Sequence, residues 1–212
     1  MDIDNYNLDD DENPAWDGST EPDPERPSAH HLFRTLIKIL TTPVEGWKQI
    51  RRDRLTSHEI SVGLFFRIIG VLACSKFAIL IYHPTASIVQ VIIEALISFT
   101  SFFASFPCIL ILLKILLPPE VSKKFDDGYG KSMVLMVLSS LALFGIPYEC
   151  LPMLDPVLVF LPIWSIYVMS KGIRFLRISR RYETRTLIFL SALTVGMPIF
   201  LGWLLSLILP SV

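Results

Sequence analysis

Five apolar runs fill most of the chain after its first quarter. They cover residues 60–82, 87–117, 132–147, 156–170 and 186–209. Within each run the apolar residues are blocked rather than spaced at a helical or strand period, which suits helices that meet apolar surroundings on every side. A hydrocarbon core about 30 Å thick takes roughly 20 apolar residues as helix, with a lower bound near 17. Runs one, two and five meet this, while runs three and four fall slightly short of it. Proline borders both short runs (Pro147, Pro152, Pro156), and Pro162 lies inside run four. Two arrangements follow. Either all five runs cross a bilayer, or runs three and four form one re-entrant hairpin and leave three crossings. Full crossing is the favoured reading, because each short run still approaches the lower bound.

Ahead of the first run the pattern changes to helical spacing. Leu32, Phe33, Leu36, Ile37 and Leu40 share one face of a short segment, with Arg34 and Lys38 on the other. Such a helix either lies in a membrane surface or packs on the protein's own cytosolic loops. Thr42-Pro43-Val44-Glu45 opens a second helix, with Thr42 as cap, Pro43 in the first turn and Glu45 completing a capping box. Val44, Trp47 and Ile50 form its apolar stripe. Trp47 beside Lys48 is an interfacial anchor, because indole favours the headgroup boundary. Thr56-Ser57-His58-Glu59 has the same box spacing and opens the first span.

Charge gives the runs a direction. Lys48, Arg51, Arg52 and Arg54 precede run one. Lys123, Lys124 and Lys131 stand between runs two and three. Lys171, Arg174, Arg177, Arg180, Arg181 and Arg185 stand between runs four and five. The alternate gaps, 83–86, 148–155 and 210–212, hold no lysine or arginine. Basic residues within roughly 15–20 positions of a span stay on the cytoplasmic side. The amino terminus is thus cytoplasmic and the carboxyl end outside, in a multi-pass protein of the cell inner membrane. The re-entrant alternative keeps the same sidedness.

The composition agrees: 52% of the 212 residues are hydrophobic, and the mean hydropathy is +0.53. The net charge of −1 conceals two opposed regions. Residues 1–28 carry ten carboxylates against Arg26 alone, a charge of −9 that leaves +8 on the rest. Such a segment has too little apolar surface to order itself. It also lacks the basic start and apolar stretch of a cleavable signal peptide, so the first span is expected to serve as an uncleaved export signal. The expected architecture is all-α: an acidic disordered tail (1–30), amphipathic interfacial helices (31–56) and a bundle of five transmembrane helices (57–212).

Ionisable groups inside the runs are candidate sites, since each costs about 2.5–3.5 kcal/mol at a bilayer centre. Lys76 and Glu94 flank the short connection between runs one and two at similar height, and are expected to form an intramembrane ion pair. Arg67 sits deeper and is a candidate polar site. Lys114 snorkels from the inner end of run two. Pro107 and Pro198 should kink runs two and five, and Ser98, Thr100, Ser101, Ser139 and Ser140 offer bonds between helices. The strongest electrostatic feature is the cytosolic basic belt Lys171, Arg174, Arg177, Arg180, Arg181 and Arg185. It suits anionic lipid, at about 1 kcal/mol per basic group, and leaves room for an acidic partner or the chain's own tail. Cys74, Cys108 and Cys150 are too scattered for a metal site or a disulfide framework. Gly128-Tyr129-Gly130 reads as a turn into run three. No catalytic constellation, phosphate-cradling loop or cofactor motif is present.

From Thr41 onward the chain resembles the Yip family, five-span membrane proteins named for interaction with Ypt/Rab GTPases, and most closely its bacterial members. Leu40-Thr41-Thr42-Pro43, Trp47 and Ile50 carry the resemblance. So do Leu141-Ala142-Leu143-Phe144-Gly145-Ile146, Leu151-Pro152-Met153-Leu154, the stretch Ile166-Tyr167-Val168-Met169-Ser170-Lys171-Gly172-Ile173, and Tyr182. It implies five helices, a cytosolic amino-terminal region and an outer carboxyl end. Eukaryotic relatives bind prenylated Rab GTPases without being enzymes. This chain lacks their Asp-Leu-Tyr-Gly-Pro stretch and has Ser139-Ser140 and 141–144 where they have tyrosine and proline, and a bacterium has no Rab cycle. The expected function is a non-enzymatic adaptor or membrane organiser acting through its cytosolic face. The alternative is a small transporter or lipid-handling protein using Arg67, Lys76 and Glu94. Expected partners are anionic membrane lipids, met by the cytosolic basic loops, and a cytosolic or membrane protein. Nucleic acid is not among them, no cofactor is expected, and self-association stays open.

Overall fold

The structure, a computed structural model, describes residues 28–82, 85, 87–151 and 160–209. The acidic tail and the start of run four lie outside the described residues. All regular structure among the described residues is helical. The helices are α1 (Ala29–Thr41), α2 (Pro43–Arg52), α3 (Ser57–Tyr82), α4 (Ile88–Leu116), α5 (Pro119–Asp126), α6 (Gly128–Cys150), α7 (Leu161–Ile173) and α8 (Arg180–Ile208).

Four of these, α3, α4, α6 and α8, are long and apolar enough to cross a membrane. The protein therefore has the character of a multi-pass membrane protein with four candidate spans, where the sequence led us to expect five. The fifth would be α7. At 13 residues and about 1.5 Å per residue it falls well short of a 30 Å core. Pro162 sits in its first turn rather than its middle. The exposed surface agrees with an apolar solvent. Ile88, Val89, Ile92, Leu96, Phe103, Ile111 and Ile115 line the outside of α4, and Ile188, Ile199, Phe200, Trp203 and Leu207 that of α8. An apolar surface this extensive is stable in lipid, not in water.

The axis of the bundle is α6. Its residues 132–140 are buried around the whole helix, because α1, α3, α4, α5, α7 and α8 all pack on it. Its register against α3 is parallel. Ser132 Oγ donates to the Leu55 carbonyl just before α3, Gly145 rests on Leu72, and Glu149 meets Lys76. The most extensive contact is between α4 and α8. Gly202 faces Ser101 across it, and the buried residues of the two helices include the small Ala95, Ser105 and Thr194 beside the larger Ile109, Leu113 and Leu190; small residues let two backbones approach where no hydrophobic force drives them together. Both helices continue through their prolines. The span serines behave differently from expectation. Ser101, Ser105, Ser139 and Ser140 bond carbonyls of their own helices, while Ser132 lies within reach of both the Gly128 carbonyl of its own helix and the Leu55 carbonyl of another segment.

The first two helices form a hairpin. Gly46 allows it, since a Cβ there would stand 2.6 Å from Ile39 Cα. The buried face of α1 is Leu32, Thr35, Leu36 and Ile39, at spacings of three and four that fit one helical stripe. Phe33 and Ile37, expected on that same face, are exposed. The capping box expected at Thr42 is not formed: its hydroxyl donates to the Lys38 carbonyl instead. The box at Thr56 is formed, with Thr56 N–H donating to Glu59 Oε2 at 2.8 Å.

Candidate functional site

At one end of the bundle, three stretches distant in sequence converge, one of them the junction of α5 and α6. The last turn of α2 brings Arg51, α5 brings Lys124, the start of α6 brings Asp127 and Tyr129, and the turn after α7 brings Phe175, Leu176 and Arg177. Between them lies a cavity of about 130 Å³, some ten times the roughly 10–15 Å³ that one water needs. Tyr129 and Leu176 are buried and form its floor, while Lys124, Asp127 and Arg177 are exposed at its rim.

The floor is rigid. Trp47 is fully buried, its Nε1–H donates to the Val168 carbonyl at 2.9 Å, and its ring lies over Gly172, where an added Cβ would come within 2.8 Å. Tyr129 meets Trp47 edge-on, centroids 6.4 Å apart, and its hydroxyl donates to the Gly172 carbonyl at 3.4 Å. Trp47 is thus a core residue joining α2 to α7, and the headgroup-boundary role expected of it does not hold. Lys48 beside it is what an interfacial tryptophan would have, and nothing local indicates that Gly172 will make room for an indole.

The wall is held by Gly130. A Cβ there would stand 2.3 Å from the Lys124 carbonyl oxygen, so α5 lies directly on the first turn of α6. Lys114 Nζ pairs with Asp126 Oδ1 at 2.7 Å and ties α5 to the end of α4; the lysine expected to snorkel has a partner. The Gly128-Tyr129-Gly130 sequence, which looked like a simple turn, is what brings Lys124 to the cavity. Asp127, the cap residue of α6, makes no side-chain capping bond, so that first turn keeps N–H groups for other acceptors.

The rim carries strain. Arg177 has φ 50° and ψ 46°, a left-handed conformation that non-glycine residues rarely take. Around it stand the other members of the basic belt. Arg174, Arg180, Arg181 and Arg185 are exposed and Lys171 is half-buried. Arg174 pairs with Glu183 at 3.7 Å, Lys171 lies over the Tyr167 ring, and Arg185 over Phe189.

The intramembrane candidates part company. Lys76 pairs with Glu149 Oε1 at 2.5 Å, not with Glu94, whose carboxylate accepts from Gln90 Nε2 at 3.3 Å. The cause is topological: α3 and α6 run parallel and end together, and Tyr82 donates to the Cys150 carbonyl at the same end. Glu149 was placed in a loop by the sequence, yet it is in the last turn of α6. Arg67 is exposed on α3, two residues beyond a π-helical turn over Ser61–Phe65. Among the described residues no group of three potential metal ligands occurs.

Comparison of the chain with family models, curated proteins and solved structures finds no match.

Proposed function

We propose that the protein is a Yip-like, five-span protein of the cell inner membrane that acts as a non-enzymatic adaptor or organiser through its cytosolic face. One observation carries this reading. The three basic gaps of the sequence meet at one end of the bundle, around the cavity lined by Arg51, Lys124 and Arg177, while Lys76, Glu149 and Tyr82 cluster where α3 and α6 end. That segregation supports a cytoplasmic basic end under the positive-inside rule. It also supports a fifth crossing. The chain leaves α6 at Cys150, beside Tyr82, and the turn after α7, Phe175–Arg177, lies at the opposite end. On that ground a fifth crossing over 151–173, with α7 as its second part, belongs to the proposal. The α1–α2 hairpin belongs to the cytoplasmic side of this arrangement and the acidic segment 1–27 precedes it there. Anionic lipid and an unidentified protein are the proposed partners.

Sidedness is tested by thiol labelling in intact cells, in a chain with Cys74 and Cys108 replaced by alanine. Cys150 is expected to react with an impermeant maleimide. A Lys123→Cys substitution in a chain that also lacks Cys150 is expected to react only after permeabilisation. The reverse pattern overturns the orientation. The adaptor role predicts that removing residues 1–27 changes the proteins that co-purify with the chain. Unchanged partners, together with loss of solute flux on Glu94→Gln, favour the second reading, a small transporter. Arg67 is the observation behind that alternative: an exposed cation close to a π-helical turn, an irregularity that often accompanies function.

A further inference from the structure

The cavity itself has features that a diffuse basic surface does not need. It is a half-open hollow between three stretches of chain, its floor is built from Tyr129 packed against Trp47 and Gly172, and its rim keeps Arg177 in a left-handed conformation. Strain of this kind persists where the surroundings over-determine it, commonly at ligand sites. Arg51, Lys124 and Arg177 converge from three elements on one small volume, beside the uncapped first turn of α6, which adds the positive end of a helix dipole. Phe175 and Leu176 make an apolar wall next to these cations.

We propose that this cavity binds the phosphodiester of a membrane lipid headgroup, with Arg51, Lys124 and Arg177 holding the phosphate oxygens and Phe175 and Leu176 against the glycerol and the start of the acyl chains. The proposal rests on the lipid partner named above and narrows it from a surface to a stereospecific site. Guanidinium groups match phosphate oxygens in pairs, and basic pockets between spans on the cytoplasmic side suit lipid headgroups. The cavity takes the phosphate, and its open side leaves room for the glycerol and acyl chains to pass along Phe175 and Leu176. Asp127 at the rim accepts a hydrogen bond from a headgroup substituent that has a hydrogen to donate, such as a glycerol hydroxyl. Choline has none to offer.

Native mass spectrometry of the detergent-solubilised full chain tests this, and does so independently of which way the chain faces in a membrane. With phosphatidylglycerol one lipid per chain is expected to be retained, with phosphatidylcholine markedly less, and inorganic phosphate at equal concentration should not displace the lipid. Lys124→Gln and Arg177→Gly, both at exposed positions, should each weaken retention about tenfold, the ratio one charge-assisted hydrogen bond carries, while the thermal midpoint stays the same or rises. Arg181→Gln and Arg185→Gln, in the belt but outside the cavity, should leave retention unchanged. Equal losses from belt and cavity variants overturn the site in favour of diffuse attraction. Displacement by inorganic phosphate overturns the lipid as its occupant. Retention that appears only after removal of residues 1–27 overturns it in favour of the acidic segment.

Discussion

Lys76 shows how much a single residue can carry and how little of it is local. Its position near the end of the first apolar run was readable, and so was its need for a partner. The partner was not. Glu94 is close in sequence across a short connection, whereas Glu149 becomes a neighbour only because α3 and α6 lie parallel, and no residue pattern announces that. A double-mutant cycle separates the two. Lys76→Met with Glu149→Gln should show a coupling of about 0.5–3 kcal/mol, the range for residues in one ion pair. Lys76→Met with Glu94→Gln should be additive. Arg177 gives a second prediction at this scale. Its left-handed backbone costs about 1–2 kcal/mol for a residue with a Cβ, so Arg177→Gly should raise unfolding stability by about 1 kcal/mol after glycine's greater unfolded-state entropy is allowed for. A fall in stability would mean that the arginine side chain holds the turn.

Among the elements, α3, α4 and α8 were legible because lipid-facing segments need little beyond length and apolarity, whereas α6, read as a run slightly short of a span, extends beyond that run at both ends and is buried by protein over 132–140. The bounds of α3, α4 and α8 follow the apolar runs closely, extended by polar first turns such as that of Arg180–Arg185 in α8. The α1–α2 hairpin was legible only in part. Its amphipathic spacing and the proline start of α2 were visible, but the face that packs was assigned half correctly. Leu32 and Leu36 are buried, Phe33 and Ile37 are not, and a stripe of five apolar residues does not reveal which edge meets protein. Gly46 decides the geometry. Gly46→Val should force α1 and α2 apart at a cost of about 1–3 kcal/mol or more, as overpacking does. Amide exchange in α1 should then accelerate while that of α4 and α8 stays unchanged. Gly172→Ala should have a related effect through displacement of Trp47, read as a shift in its fluorescence.

For the molecule as a whole, the two ends are unequal. Near the cavity, α6 is enclosed by α1, α2, α5 and α7 as well as by the other long helices. Toward Cys150 its residues are mostly half-buried. Local stability follows such differences in burial. Hydrogen exchange in lipid nanodiscs should therefore protect amides of 132–140 more strongly than those of 146–150, although both belong to one helix. Equal protection would mean that lipid or another copy of the chain encloses the far end as fully as protein encloses the near one. The sidedness of the charges was readable from the gaps between runs. The cavity was not, because Arg51, Lys124 and Arg177 belong to three different gaps and only the fold brings them together.

The bond from Trp47 to the Val168 carbonyl spans 121 positions of chain, and this has a consequence for biosynthesis. Residues 28–52 leave the ribosome early, but their seat on α7 does not exist until residue 172 has been made. At roughly 5–20 residues per second this delay is roughly 6–24 s. Throughout it the indole of Trp47 has no seat, although Leu32 can already meet α3 at Gly63 and Ile39 meets Gly46 within the hairpin. A nascent segment with that indole and with Arg34, Lys38 and Lys48 is suited to wait on the bilayer surface. Trp47, on the second helix to be made, is docked only when the seventh is complete.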